Sequence, residues 1–384
     1  MPRVLWLTAT LLWLAPTLAA QEGSVTPRTS HRIELSGLVL FNGFYTDDNV
    51  DLVELPQVVL PVSPFAAAAP QAGGGSLRQT RLALSGFARG VLGGRASGEV
   101  DVDFFGGTRS SPTPRLRRAV GKLESHNAWL LFGQEASVMS TLNPSTFASV
   151  GVPGFTAAGN LSAWIPQIRV GVQSGGRIRG GLEVAAVAPR TGEAVVDAAT
   201  PDSAERSRRP YIQGRVLARW DDGQTEGELS IAGHYGWFLL RTDSLLVTKA
   251  AAVTARIAIT RYVEFRGEAF VGEALGTLGG GGIGQNVSPS GTPVRTRGGW
   301  AQLNFHPTPD WEIGGGYGLD DPDDADIDPL VGIIKNASWE THLHWRPRPL
   351  VFGFEYRRLE TTYADAMVGL MNANHVNVSM GFEF

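Results

Sequence analysis

His375-Val376-Asn377-Val378-Ser379-Met380-Gly381-Phe382-Glu383-Phe384 alternates without a break. Val376, Val378, Met380, Phe382 and Phe384 share one parity; His375, Asn377, Ser379, Gly381 and Glu383 share the other. Successive strand side chains point to opposite faces, so this segment has one oily face and one wet face. Any half-buried antiparallel strand alternates in this way. What it means depends on whether the rest of the chain does the same.

It does. Sixteen segments read as strands: 32–45, 78–88, 94–104, 114–123, 128–134, 164–172, 177–187, 211–220, 225–238, 246–259, 262–275, 294–305, 311–319, 334–345, 350–359 and 374–384. In the third, Ala96, Gly98, Val100, Val102 and Phe104 oppose Arg95, Ser97, Glu99, Asp101 and Asp103. The connections carry more weight than the alternation. Those after odd segments are long: 46–77, 106–113, 135–163, 188–210, 276–293, 320–333 and 360–373. Those after even segments are turn-like: 89–93, 124–127, 173–176, 221–224, 260–261, 306–310 and 346–349. Only 239–245, after the ninth segment, breaks the rule. Long loops on one rim and tight turns on the other are the arrangement of bacterial barrels, and a soluble sandwich has no reason for it. The expected fold is all-β: a transmembrane antiparallel β-barrel of about 16 strands over 32–384, with short periplasmic turns and long extracellular loops. Trp129, Trp220, Trp311, Trp339 and Trp345 fall near strand ends on the apolar parity, where an interfacial aromatic girdle sits.

The start of the chain agrees. Arg3, the apolar run 4–18 and the small residues Ala19 and Ala20 read as a signal peptide over 1–20, followed by a short periplasmic segment over 21–31. No later segment reaches the roughly 20 apolar residues of a spanning helix. The closest, 250–265, is cut by Arg256 and Arg261. Cys is absent and mean hydropathy is near zero, as expected of an exported barrel whose strands are half wet. Lys occurs only at 122, 249 and 335, so 30 of the 33 basic residues are Arg. The expected location is the bacterial outer membrane, with lipid as the surrounding partner and no nucleic acid.

A barrel of this size encloses an aqueous channel. The connection 135–163 contains Asn143-Pro144-Ser145-Thr146-Phe147 and Gly151-Val152-Pro153-Gly154-Phe155 and is expected to fold inward as a constriction loop bearing Phe147 and Phe155. On the lumen parity, Arg169, Arg177, Arg179, Arg215, Arg219 and Arg256 form a basic stretch. Glu99, Asp101, Asp103, Glu264, Glu268, Glu312, Glu340 and Glu355 form an acidic one. Opposed walls of this kind orient dipolar solutes, and guanidinium groups suit carboxylates. The predicted function is passive diffusion of small hydrophilic solutes with a preference for anions. The alternative is a non-conducting receptor or structural barrel. An enzyme is not expected, because the seven His are dispersed without a catalytic partner. His342 and His344 share a strand face that could bind a metal, but wall residues account for them, so neither metal nor cofactor is expected. The acidic run from Asp320 to Asp328, interrupted by Pro322, matches no EF-type loop.

Several segments resemble DcaP-type porins: Arg78-Gln79-Thr80-Arg81-Leu82, Gly98 to Gly107, Pro114 to Ala119, Trp129-Leu130-Leu131-Phe132-Gly133-Gln134 and Pro166-Gln167-Ile168-Arg169. The likeness spans about 78–190. It implies a trimeric sixteen-stranded outer-membrane channel associated with dicarboxylates and other small anions. The terminal segment resembles the last strand of outer-membrane barrels generally, which implies that Phe384 belongs to the signal read by the barrel-assembly machinery. Glu135-Ala136 stands where the DcaP-type pattern has Trp-Ser.

Overall fold

The computed structural model describes residues 31–62, 70–192, 200–221, 223, 226–240 and 244–384. The expected leader, 1–20, and residues 21–30 after it lie outside this set.

Period-two alternation punctuated by glycine and proline turns gives a chain of antiparallel hairpins. In order these are β1 His31–Thr46, β2 Ala72–Ser76, β3 Arg81–Val91, β4 Gly94–Gly107, β5 Pro112–Ser125, β6 Ala128–Ala136, β7 Trp164–Gln173 and β8 Ile178–Val187. After one helical turn, Ser203–Arg206, come β9 Tyr211–Asp221, β10 Glu226–Leu239, β11 Leu245–Thr260, β12 Val263–Glu273, β13 Arg295–Thr308, β14 Trp311–Pro322, β15 Ile333–Trp345, β16 Leu350–Tyr363 and β17 Leu370–Glu383. From β3 on, each strand pairs with the next, and β17 returns to β1 in a register running from Leu38↔Glu383 to Thr46↔His375. The sheet is closed, so no edge is left unpaired, which a spanning sheet requires in lipid.

The other edge of β1 is shared. Its first half pairs with β3, His31↔Ala88 to Leu38↔Arg81, and its second half with β2, Asn42↔Ser76 to Thr46↔Ala72. β2 and β3 are therefore two pieces of one strand, and the barrel has sixteen staves. The sequence placed Arg78 at a strand start; instead 77–80 is a turn, closed by Thr80 N–H donating to the Leu77 carbonyl.

Two connections expected to be long are tight. β4 and β5 stay paired out to Gly107↔Pro112, and β16 and β17 out to Thr362↔Leu370. Gly106, Gly107 and Pro112 look like loop residues in isolation, yet here they form the end of a ladder. The last strand accordingly starts at Leu370, before the expected 374.

Lipid-facing and lumen-facing positions separate cleanly. Along β7, Ile168, Val170 and Val172 are exposed, whereas Gln167 and Arg169 are buried inside. Along β17, Val378, Met380, Phe382 and Phe384 face out, and His375, Asn377 and Ser379 face in. Trp311, Trp339 and Trp345 lie on the outer face, Trp311 stacked on Trp345 at 5.6 Å. Trp129 does not join them. It covers Gly171 on the lumen side, where a Cβ at 171 would fall 2.3 Å from the indole, and Lys122 sits 5.2 Å from its ring. β6 has apolar residues on both parities, so sequence alone assigned this Trp to the wrong face.

Closure leaves a mark at Gly37. Gly37 and Phe384 exchange backbone hydrogen bonds of 2.9 and 3.1 Å, and the Phe384 ring folds across the glycine. A Cβ there would lie 2.6 Å from Cζ of Phe384 and 2.7 Å from the Arg81 carbonyl. Gly37→Val should therefore block the β17–β1 seam: after refolding, the protein should lack the compact, heat-modifiable band on SDS gels that the parent shows.

Candidate functional site: the lumen and its inward loop

The segment between β6 and β7 leaves the wall and lies inside the barrel. Peptide groups there have no ladder to join, so lumen side chains must serve them. Ser137 Oγ and Val138 N–H donate to Gln213 Oε1 on β9, at 3.1 and 3.0 Å. Ser145 exchanges hydrogen bonds with the Gln302 amide on β13, 2.8 and 3.1 Å, and its hydroxyl donates to Glu312 on β14. Glu355 on β16 accepts from the Thr146 hydroxyl at 2.6 Å and from the amides of Phe147 and Ala148. Gln79, in the break between β2 and β3, accepts from Val150 and Gly151 N–H and donates to the Ala148 carbonyl. Leu161 N–H donates to Glu268 on β12 at 2.9 Å, and Asn336 on β15 donates to the Ala157 carbonyl at 2.8 Å. The segment thus bridges from one wall to the strands opposite.

Phe147 and Phe155 secure the loop and do not face open water. Phe147 packs with Leu40 and Val351, 4.5 Å from the His344 ring. Phe155 stacks on Trp300 at 5.9 Å, above Gly318, where a Cβ would lie 2.7 Å from its ring. At the loop's root, Val138, Met139, Leu161 and Ile165 join Tyr211, Phe238, Phe270 and Leu275 in an apolar cluster inside the wall.

The acidic residues expected to face solute across the channel divide into two groups. Glu268, Glu312, Glu340 and Glu355 are buried beneath the loop. Glu268, Glu312 and Glu355 hold it, and Glu340 accepts from Gln302 at 2.9 Å and pairs with Arg357 at 3.4 Å. The remainder are ion-paired: Glu99 with Arg118 (2.7 Å), Asp101 with Arg81 (2.6 Å), Asp103 with Arg115 (2.5 Å), and Glu264 with Arg256 (2.7 Å) and Arg266.

Four of the six expected basic residues are paired as well, Arg256 among them. Arg169 and Arg215 share Glu183, at 3.4 and 2.8 Å; Arg215 also reaches Glu228 at 3.0 Å, and Arg219 pairs with Glu228. Arg179 lies on β8 directly opposite Arg219, and Arg177 lies in the adjoining turn. Both are exposed, and neither has an ion-pair partner among the described residues.

Four of these pairs are unequal towards water, whereas Arg118 and Glu99 are equally exposed at 30%. The side chain of Arg81 is 37% exposed and that of its partner Asp101 0%. For Arg115 and Asp103 the values are 33% and 0%, for Arg219 and Glu228 40% and 15%, and for Arg256 and Glu264 38% and 11%. In these four pairs the carboxylate lies against the wall and the guanidinium stands in front of it, although Arg256 also meets the more exposed Glu226 (58%). Between the loop and β3–β9 an open space of about 380 Å³ remains, lined by Arg118, Lys122, Glu135, Arg169, Arg215 and Arg219 among others.

Sequence reading missed Arg81, Arg115, Arg118, Glu135, Glu183, Glu228 and the loop anchors Gln79 and Gln302. Some were within reach: Glu228 and Arg219 flank a short turn, and counting outward from it pairs them directly. Arg118 was not. A register shift between Asp101 and Val102 leaves Arg117 unpaired in a β-bulge, so Arg117 and Arg118 both turn inward.

No protein-family model matches the sequence, and no curated protein matches it by sequence. Solved structures do match. The outer-membrane channel DcaP of Acinetobacter baumannii superposes with a TM-score of 0.71 at 17% identity, over 92% of this chain and 98% of that one. This is a porin fold. An anion-selective porin from Comamonas acidovorans gives 0.60 at 15% identity, covering 92% and 100%. The trimer form of OmpT, an outer-membrane protein of Vibrio cholerae, gives 0.54 at 8%, covering 92% and 100%. The architecture expected from the sequence, a closed antiparallel barrel of sixteen staves like that of DcaP, is the one found.

Removing a loop anchor should loosen the loop without opening the barrel. Gln79→Ala deprives two amides and one carbonyl of their partner, at about 1–3 kcal/mol for each group that water does not reach. In hydrogen exchange, the amides of Val150 and Gly151 should exchange at least about tenfold faster, the equivalent of 1.4 kcal/mol. Amides in β13–β16 should keep their protection.

Proposed function

We propose that this protein is an outer-membrane porin through which small hydrophilic solutes diffuse passively, with a preference for anions such as dicarboxylates. The observation that carries this reading is the layering of the lumen charges. A solute passing the loop meets the guanidinium groups of Arg81, Arg115 and Arg219 before it meets the carboxylates behind them. A channel with low-dielectric walls focuses such a field, and planar guanidinium groups grip carboxylates with two parallel hydrogen bonds. Arg177 and Arg179 extend the basic surface to the turn-side mouth. The anion-selective porin among the structural neighbours is consistent with this reading.

The inward loop is the proposed constriction. Lipid surrounds the apolar belt, and Phe384 is the proposed signal to the barrel-assembly machinery after export by a cleaved leader. Homotrimer assembly fits the outer face of β3–β5. There Gly86, Gly98 and Gly121 stand side by side across the strands, between exposed Ile33 and Phe132, in a shallow groove that a second barrel could fill. A trimer form is known for the OmpT neighbour.

Planar-bilayer recording in a KCl gradient tests the reading. Stable open steps are expected, with a reversal potential on the anion side that shrinks as ionic strength rises. Succinate should lower the current. The double variant Arg81→Gln/Arg219→Gln should cut the anion-to-cation permeability ratio at least about twofold, because one pair of screened lumen charges contributes a fraction of a kcal/mol. Cation preference would contradict the anion reading. A folded barrel that never conducts would contradict the porin reading and favour the receptor or structural alternative.

A further inference from the structure

Beneath the loop, three side chains from two adjacent strands converge on one point. Glu312 stands directly opposite His344, and His342 lies one pleat further along the same face. Glu312 Oε1 is 3.0 Å from His342 Nε2 and 3.2 Å from His344 Nδ1, and all three ligating atoms lie within 4.8 Å of one another. The two imidazoles stack at 4.3 Å with 18° between their planes, so both nitrogens reach one ion once a ring turns about its Cβ–Cγ bond. All three residues are buried.

We propose that Glu312, His342 and His344 form a binding site for a divalent transition metal of the zinc class. The donor set, two imidazole nitrogens and a carboxylate oxygen, suits zinc and its neighbours rather than magnesium or calcium, which take all-oxygen shells. Ligand bonds of about 2.0–2.1 Å in a tetrahedron set ligand–ligand edges of about 3.3 Å. The two Glu312 edges, 3.0 and 3.2 Å, are already close to that spacing.

The surroundings are built for it. His344 Nε2 is 3.0 Å from Glu355 Oε1, which fixes the ring and leaves Nδ1 turned to the site, the carboxylate–histidine arrangement of metal centres. The His342 ring lies across β14 only because residue 314 is glycine. A Cβ there would fall 2.3 Å from His342 Cε1 and 2.5 Å from Nε2. His342 Nδ1 is buried and has no partner among the described residues, so Nε2 carries the proton given to Glu312, and a metal bound there takes that proton's place. The Ser145 hydroxyl, on the same Glu312 oxygen, closes the site from the loop side. His306, 34% exposed with Nδ1 3.7 Å from Glu312 Oε2, marks the side open to water and offers a fourth nitrogen.

Isothermal titration of ZnCl2 into the refolded, chelator-treated full chain in detergent tests the site. One equivalent should bind saturably, and millimolar MgCl2 should not displace it. His342→Gln/His344→Gln should abolish the saturable phase. Glu355→Gln should weaken it by about tenfold or more, the usual effect of removing a partner behind a ligand. Absence of one-to-one binding in the parent, or unchanged binding in the folded double variant, would overturn the proposal. If the variant fails to fold, anomalous scattering at the zinc edge from parent crystals grown with ZnCl2 decides. A peak at about 2.1 Å from His342 Nε2 and His344 Nδ1 supports the site, and peaks only elsewhere overturn it.

Discussion

A polypeptide segment that leaves the sheet and lies inside the barrel carries peptide groups no strand can pair, and leaving them unmade in a closed interior costs about 1–3 kcal/mol each. The lumen wall opposite is arranged around that need. Gln213, Gln302, Glu355, Gln79, Glu268 and Asn336 each hold a stretch of the loop, and most of them bond to its backbone rather than its side chains. This explains why so many lumen positions on β12–β16 are polar yet buried. They act as backbone partners for a segment distant in sequence.

The charge pattern of the channel follows. Glu268, Glu312, Glu340 and Glu355, taken up with the loop and its neighbours, present no negative charge to the open lumen. On the open side, Asp101, Asp103 and Glu228 lie low against the wall beneath the side chains of Arg81, Arg115 and Arg219. A short carboxylate rooted in the wall and a long guanidinium reaching across it give this layering naturally, since the longer side chain covers the shorter. Net charge near balance is therefore compatible with a surface that is basic around Arg81, Arg115 and Arg219.

Much of this was legible in the sequence. Period two gave nearly every strand to within a few residues, because a spanning barrel strand alternates lipid and lumen over its whole length. The exceptions have local causes. Turn residues around 77–80 break a strand that alternation reads as beginning at Arg78. Gly106, Gly107 and Pro112 hide a ladder. Trp129 sits on a strand apolar on both parities and turns inward over Gly171. The site was harder to read. Parity tells which face a charge occupies but not how deep it lies, and depth separates loop anchors such as Glu355 from channel-facing groups such as Arg219. Cross-strand partners depend on register, which the bulge at Arg117 shifts.

Arginines front the open lumen while the far-wall acids are sealed under the loop. The chain has no Cys, so single cysteines report on each position alone. Cysteines introduced as Arg81→Cys, Arg219→Cys, Arg256→Cys and Glu340→Cys can be treated with anionic and cationic thiol reagents of similar size during bilayer recording. The first three should react and reduce current, faster with the anionic reagent, while Cys at 340 should stay unmodified. Equal or faster reaction at 340, or faster attack by the cationic reagent at 81, 219 and 256, would contradict this arrangement.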